Sequence, residues 1–305
     1  MATYVPVRAI VDQVLDLSDN FRRIVFTGPE LAIVGQYECF DQRIKLIFPT
    51  GNSLPVIEDE DNWYRDWLTI PEGERGIMRT YSMRHLAGTD GQTRISVDFV
   101  LHEADGVNGP ATTWAKGATP GDEIVLIAPK DGAASGGIEF NHGDAERIVL
   151  LGDETAAPAI ARILEDLAGQ KSDIPCTAYI EVPTGDDQLE IEGAPHHGIT
   201  WLPRDGALHG SMLAPALGWD VSDEARLSAV SPENADEDLV WETPAYSGSG
   251  EQVSTQAPTA GTYYWIAGES GVVKQLRRFL VNEIGVDRSQ VAFMGYWREG
   301  VAMKG

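Results

Sequence analysis

Arg79-Thr80-Tyr81-Ser82-Met83-Arg84 sets out a guanidinium, a phenol ring two residues later, and then a hydroxyl. Alternate side chains on a strand share a face, so Arg79 and Tyr81 point the same way. An arginine fork pairs with a diphosphate, an aromatic face stacks on a flat heterocycle, and Ser82 can donate from side chain or backbone. A flavin dinucleotide needs those three functions, with the donor aimed at ring N5, the hydride-accepting atom. The same six residues also suit a half-buried barrel strand with a solvent arginine at each end, so context decides.

A second stretch, Gly106-Val-Asn-Gly-Pro-Ala-Thr-Thr-Trp-Ala115, puts Pro110 in the first turn of a short helix. Thr112 and Thr113 add hydroxyls beside free backbone amides, which can receive a phosphate. Alone it also reads as an ordinary Gly-Pro turn before a helix. With Arg79 it makes a two-sided grip on a diphosphate.

The elements around these residues are short strands. Tyr4 to Leu17, Phe21 to Thr27, Gln42 to Phe48, Met78 to Arg84, Arg94 to Leu101 and Glu123 to Ala128 are rich in Val, Ile, Phe and Tyr, punctuated by Gly, Pro, Asn and Asp. Without a long intervening helix, they predict a six-stranded antiparallel barrel. Asn52 to Gly76 is too polar for a further strand and reads as a loop over the barrel. From Arg147 the pattern changes. Arg147-Ile-Val-Leu-Leu-Gly152 is a continuous apolar strand of the parallel-sheet kind, followed by an amphipathic helix from Glu154 to Ala168. Cys176–Val182, Gly198–Leu202, Tyr263–Ala267 and Gln290–Tyr296 supply further strands, and Gly271–Glu283 the last helix. The expected division is a barrel over 1–140 and an α/β nucleotide-binding-type domain over 141–305. Residues 219–261, acidic and rich in Ser, Pro and Gly, read as a solvated insertion.

Composition narrows the classes. The formal net charge of −24 disfavours nucleic acid and anionic membranes as partners. No apolar run reaches membrane-spanning length, and Met1 to Arg8 lacks a basic segment followed by an apolar core, so neither membrane insertion nor a signal peptide is expected. Cys39 and Cys176 are the only cysteines; they fit a reduced cytoplasm and leave no thiolate iron–sulfur cluster.

The first strand-to-helix turn of the second half is Gly152-Asp-Glu-Thr-Ala156, where two carboxylates would oppose a diphosphate. Asp153 reads as a helix cap. After the next strand, Glu181-Val-Pro-Thr-Gly-Asp-Asp187 is acidic where a 2′-phosphate would want a cation. NADH, or a protein donor such as ferredoxin, is therefore favoured over NADPH, unless Arg204 folds back to supply the charge.

In order and combination these motifs resemble the siderophore-interacting protein family of FAD-dependent ferric-siderophore reductases, similar in architecture to ferredoxin–NADP reductases. The stretches that carry the resemblance are Asp41–Pro49, Arg79–Arg84, Asp98–His102, Gly109-Pro-Ala-Thr112, Leu151–Leu164, Trp265–Glu269 and Gly295–Gly300; the acidic insertion departs from it. The resemblance implies FAD held by Arg79, Tyr81, Ser82, His102, Gly109, Ala111, Thr112 and Thr113, with Asp98 and Val100 near the adenosine. It places Glu154, Thr155 and Ala156 beside flavin and nicotinamide. Trp297 would cover the flavin or close the crevice, or else simply pack the last strand. His102 also fits a plain strand-end histidine.

Electrons pass from reduced flavin to chelated Fe(III) in that family, so no iron ligands and no catalytic side chain are expected of the chain itself. Catecholate chelates are anionic, which makes Lys45, Lys130 and Arg298 the candidates for a basic opening; each also reads as a solvated charge. The expectation is a monomeric cytoplasmic reductase taking a ferric siderophore, with FAD as cofactor and NADH, NADPH or reduced ferredoxin as donor. Two alternatives stay open: a flavin or ferredoxin-type reductase with a non-iron acceptor, and a non-catalytic siderophore-binding or redox-sensing flavoprotein.

Overall fold

The structure, a computed structural model, describes residues 3–35, 38–51, 53–89, 92–101, 103–104, 107–132, 136–219, 241–243, 246–247 and 261–300. It divides into two compact units between Ile138 and Glu139.

The first unit contains, in chain order, β1 (Tyr4–Asp16), β2 (Phe21–Thr27), β3 (Arg43–Phe48), α1 (Trp63–Thr69), β4 (Ile77–Ser82), β5 (His85–Thr89) and β6 (Gln92–Val100). A two-residue ribbon, β7 (Glu103–Ala104) with β8 (Val107–Asn108), leads to α2 (Pro110–Gly117) and β9 (Glu123–Pro129). One curled antiparallel sheet, a half-barrel, orders seven strands as β4-β3-β9-β1-β2-β6-β5. The sequence predicts six. The seventh, β5, is an edge strand of His-Leu-Ala-Gly-Thr, and its Ala and Gly carry little β-propensity. It pairs with β6 from His85–Ser96 to Thr89–Gln92.

Strand alternation divides the apolar residues between two cores. Val5, Val7, Ala9 and Val11 of β1, Ile44, Leu46 and Phe48 of β3, and Ile124, Leu126 and Ala128 of β9 pack inside the curl. Ile47, Val125 and Ile127 turn outward, where Trp67 and Met78 cover them. Strand β9 reads as an unbroken apolar run because both its faces are covered. The cover comes from the segment expected to be a loop. Trp67 is 1% exposed, and its indole N–H donates to the carbonyl of Arg75 at 2.7 Å.

Past the end of β4 the chain keeps bonding. Met83 N–H donates to Gln42 O at 2.8 Å, on the β3 side, and Arg84 N–H to Ser96 O of β6 at 2.9 Å. These two residues draw together opposite ends of the strand order.

The second unit contains β10 (Arg147–Gly152), α3 (Ala157–Gly169), β11 (Cys176–Val182), β12 (Gly198–Pro203), α4 (Leu213–Ala216), β13 (Trp241–Thr243), β14 (Tyr246–Ser247), β15 (Thr262–Glu269), α5 (Ser270–Arg277) and β16 (Val291–Trp297). Its sheet runs β12-β11-β10-β15-β16-β13-β14. The first five strands are parallel; β13 and β14 add antiparallel pairs at one edge. Ile148, Leu150 and Leu151 of β10 are fully buried between two parallel neighbours. From β10 the chain steps outward through β11 and β12, then returns on the other side through β15 and β16. The carboxyl ends of β10 and β15 therefore form the topological switch point, where open α/β sheets bind ligands. Within the acidic insertion, Trp241–Thr243 and Tyr246–Ser247 extend the sheet, and the Trp241 ring stacks on Tyr296 at 6.2 Å. Residues 220–240, 244–245 and 248–260 of the insertion lie outside the described residues.

Candidate functional site

In the first unit the flavin-type motif occupies β4 and its continuation. Arg79 pairs across the sheet with Leu46 and Tyr81 with Ile44, so both side chains share the face of the inner core. The Tyr81 ring lies 4.7 Å from Phe99 and 6.4 Å from Phe48, and burial raises its pKa above the ordinary phenol range, so the ring is neutral. Ser82 is buried at the strand end.

Arg79 is half-buried, and burial lowers its pKa while Tyr81 acts the other way. Its Nη1 donates to the Met78 carbonyl at 2.7 Å, and among the described residues it pairs with no carboxylate. By contrast Arg22, Arg23, Arg94, Arg162, Arg204, Arg277 and Arg288 all do. A half-buried cation left without an anion in so acidic a chain fits a phosphate.

Helix α2 offers a matching feature. Its N-cap is Gly109, no side chain caps it, and Pro110 occupies the first turn. Among the described residues nothing lies within 4 Å of where a side chain on Gly109 would start. Ala111 is buried, Thr112 half-buried and Thr113 exposed. These residues fit a dinucleotide phosphate group.

Asp98 and Val100, on β6, are arranged differently from one another. Val100 is half-buried opposite Phe21. The Asp98 side chain is 0% exposed; it accepts both prongs of Arg23 at 2.6 and 2.8 Å, with Arg84 Nε at 3.6 Å. Its carboxylate thus serves two guanidinia, tying β2 and β6 to the last residue of the motif. Sequence reasoning missed this network, whose only local sign is the second arginine of the motif. His102 lies outside the described residues.

Of the predicted basic residues, Lys45 and Lys130 belong to this unit. Lys45 lies opposite Thr80 and donates to its hydroxyl at 3.2 Å; burial first, then Arg43, lowers its pKa. Lys130 is exposed beyond β9, lining an open groove of about 640 Å³ whose other residues are Val5 and the carboxylates Glu58, Asp59, Glu60, Asp61 and Asp66. Arg298 belongs to the second unit, half-buried after β16.

In the second unit the switch point is filled by the protein's own carboxylates. Asp153 Oδ1 accepts from Thr155 N–H at 2.9 Å and from the Thr155 hydroxyl at 2.5 Å. Asp153 Oδ2 accepts from Glu269 N–H at 2.7 Å and from the Trp297 indole at 2.8 Å. Asp153 accepts the Thr155 amide with its side chain and the Ala156 and Ala157 amides with its carbonyl, closing the turn that leads into α3, whose own N-cap, Ala156, bears no side-chain bond. Gly152 packs so closely that a Cβ would lie 2.4 Å from the Ala156 methyl, so only glycine fits where β10 meets the turn into α3.

Glu154 is fully buried and receives both prongs of Arg204 at 2.8 Å. Arg204 reaches Glu181 at 3.1 Å, and Glu181 also accepts from Gly210 and Met212 N–H. Burial lowers the Arg204 pKa, but Glu154 and Glu181 raise it more, and the net shift is upward. Arg204 does fold back, yet onto carboxylates rather than toward an open crevice. The acidic loop is likewise internally bonded, Asp187 accepting from the amide and hydroxyl of Thr184.

Comparison with known proteins agrees with both halves. Residues 10–133 match the siderophore-interacting FAD-binding domain and residues 145–300 the siderophore-interacting protein domain. An uncharacterised protein of Mycobacterium tuberculosis, Rv2895c, is 33% identical over 292 residues, covering 93% of this chain and 87% of that one. The ferric vibriobactin reductase ViuB of Vibrio cholerae is 26% identical, covering 93% of this chain and 86% of ViuB. The mycobactin import ATP-binding/permease protein IrtA of Mycolicibacterium smegmatis is 28% identical over 86% of this chain, which spans only 24% of IrtA's length.

Among solved structures, a siderophore utilization protein from T. fusca superposes with a TM-score of 0.69 at 28% identity, covering 99% of this chain and 96% of that one. A ferredoxin NADP+ reductase from Neisseria gonorrhoeae gives 0.60 at 14% identity, covering 97% and 100%, which is a likeness of fold. Half-barrel, switch-point sheet and sequence all lead to one conclusion: the chain belongs to the siderophore-interacting protein family.

Proposed function

We propose that the protein is a cytoplasmic FAD-dependent ferric-siderophore reductase that delivers electrons to chelated Fe(III) and so frees Fe(II) for assimilation. The observation that carries this reading is Arg79, a half-buried guanidinium with no carboxylate partner among the described residues, on the strand that also presents Tyr81 and Ser82. Arg79 would take the diphosphate together with the amides of Ala111 and Thr112, Tyr81 would lie against the ring system, and Ser82 would donate toward N5. When bound, FAD supplies the means to accept a hydride and return its electrons singly.

The side chains then have three tasks: to hold the dinucleotide, to keep the phenol of Tyr81 neutral, and to leave a cation for an anionic chelate. Fe(III) gains one electron and becomes Fe(II), which hard oxygen ligands hold more weakly, so the chain needs no iron ligand of its own. Lys45 is our first candidate for the chelate, because it is a partly buried cation on β3, the strand that pairs with β4.

For the donor we favour NADH or a reduced protein such as ferredoxin over NADPH. Arg204, the cation placed to meet a 2′-phosphate, is bonded to Glu154 and Glu181 instead. A second reading, a flavin or ferredoxin-type reductase with a non-iron acceptor, draws support from the five carboxylates lining the groove at Lys130.

The test is anaerobic stopped-flow absorbance. The flavin is reduced with dithionite, mixed with ferric catecholate or ferric hydroxamate chelates, and followed at its visible band with a ferrous trap present. Rapid reoxidation matched by trapped Fe(II) is expected. An intact flavin that no chelate reoxidises would overturn the reading in favour of the second.

A further inference from the structure

Trp297 ends β16 half-buried, and a residue 144 positions earlier holds its indole N–H. That residue is Asp153, 2% exposed at the carboxyl end of β10. Four donors converge on its carboxylate: the amide and hydroxyl of Thr155, the amide of Glu269, and the indole. Gly268, at φ 144, makes room for it; a Cβ there would stand 2.6 Å from Asp153 Oδ2. His209 meets the Trp297 ring edge-on at 4.8 Å. The indole is therefore steered by side chains from outside its own strand.

We propose that Asp153 is a positioning residue for Trp297, fixing the indole at the switch point through a charge-assisted hydrogen bond that weakens when the carboxylate takes up a proton. The geometry has a place for that proton. It goes to Oδ1, and the Thr155 hydroxyl, now donating to Oδ1, rotates to accept from it. Oδ2 continues to receive Glu269 N–H and the indole, but as a neutral acceptor, and hydrogen bonds to charged acceptors are roughly twice as strong as neutral ones.

The surroundings bring this titration into an ordinary pH range. Burial, then Glu154, raises the Asp153 pKa to about 7, against the lowering bonds from Thr155, Trp297 and Glu269. Glu154 is itself paired with Arg204, which also holds Glu181. From the other packed elements, Glu269 caps α5, and His209 shares with Asp153 and Glu269 the lining of a cavity of about 10 Å³. Arg298 and Glu299 follow Trp297 in the chain. Any bearing of this bond on electron transfer rests on the reductase reading; the bond itself does not.

The test is nuclear magnetic resonance of the full chain, isotope-labelled at the indole nitrogens of its eight tryptophans. Trp297→Phe identifies the signal by deleting it. In the wild type that signal should move upfield as the pH is lowered, with a midpoint near pH 7. In Asp153→Asn, which keeps an acceptor oxygen but cannot ionise, it should stay still. A wild-type signal that ignores pH, or one that titrates equally in Asp153→Asn, overturns the proposal. So does a Trp297 indole proton exchanging too fast to be seen at any pH, since a buried hydrogen bond protects it. Chelate reduction is measured separately on the same samples, so failure of the reductase reading leaves this result standing.

Discussion

Arg79 and Arg204 are both partly withdrawn from water, yet one keeps its charge available and the other spends it on two buried carboxylates. Replacing Arg79 by Ala should therefore give a colourless protein, or one that loses FAD on dialysis, with its fold intact by circular dichroism. A fully yellow, stable variant would remove the diphosphate grip from the proposal. Asp153 carries a prediction of the opposite sign from most carboxylates. Its pKa is raised from 3.8 to about 7 in the folded chain, so between those values the folded state holds more protons than the unfolded one. Stability from this group is then greatest at low pH, falls as the pH rises through that window, and is flat above it. Thermal unfolding of wild type and Asp153→Asn should show their difference shifting in the wild type's favour as the pH drops from 7 toward 4; a pH-independent offset would refute the shift. The strand that carries Arg79 and Tyr81 was legible because its residues are adjacent. The Glu154–Arg204–Glu181 network was not, because its partners lie 50 and 23 residues apart and no periodicity links them.

Elements were legible where burial on one or both faces stamps a pattern. The alternation of β1 and the apolar run of β10 each point to their place in a sheet. Helix α1 escaped notice because its seven residues are too short a run to show a helical period within a polar segment, and β5 because an edge strand needs few apolar residues. Yet α1 supplies the cover for the outward face of β3 and β9 through Trp67. Trp67→Ala should cost about 3–5 kcal/mol, the usual range for emptying a buried aromatic site. Urea unfolding checks this, and a loss within about 0.5 kcal/mol, typical of a surface change, would mean that the helix is dispensable.

On the scale of the whole molecule, the charge of −24 opposes every anion that approaches, whatever a local lysine offers. Salt screens such repulsion over a Debye length of about 8 Å at physiological ionic strength. Under the proposed function, the second-order rate for anionic ferric catecholates should rise with ionic strength while that for uncharged hydroxamates stays flat. A falling rate for catecholates would instead reveal a strongly basic opening. No such field effect can be read from any one motif, since it belongs to the sum.

The strand pairing of the half-barrel also sets a timetable. β1 lies along β9, with Tyr4 opposite Pro129 and Ile10 opposite Glu123. The first strand of this unit to be synthesised therefore waits for the last. Arg79 emerges well before that, but on β4, whose neighbour β3 has β9 as its other partner. Until Pro129 is clear of the exit tunnel, the nascent chain carries open strand edges, the state in which β-rich chains are most exposed to misassociation. The half-barrel that would hold a dinucleotide is thus completed only late in the synthesis of the first unit.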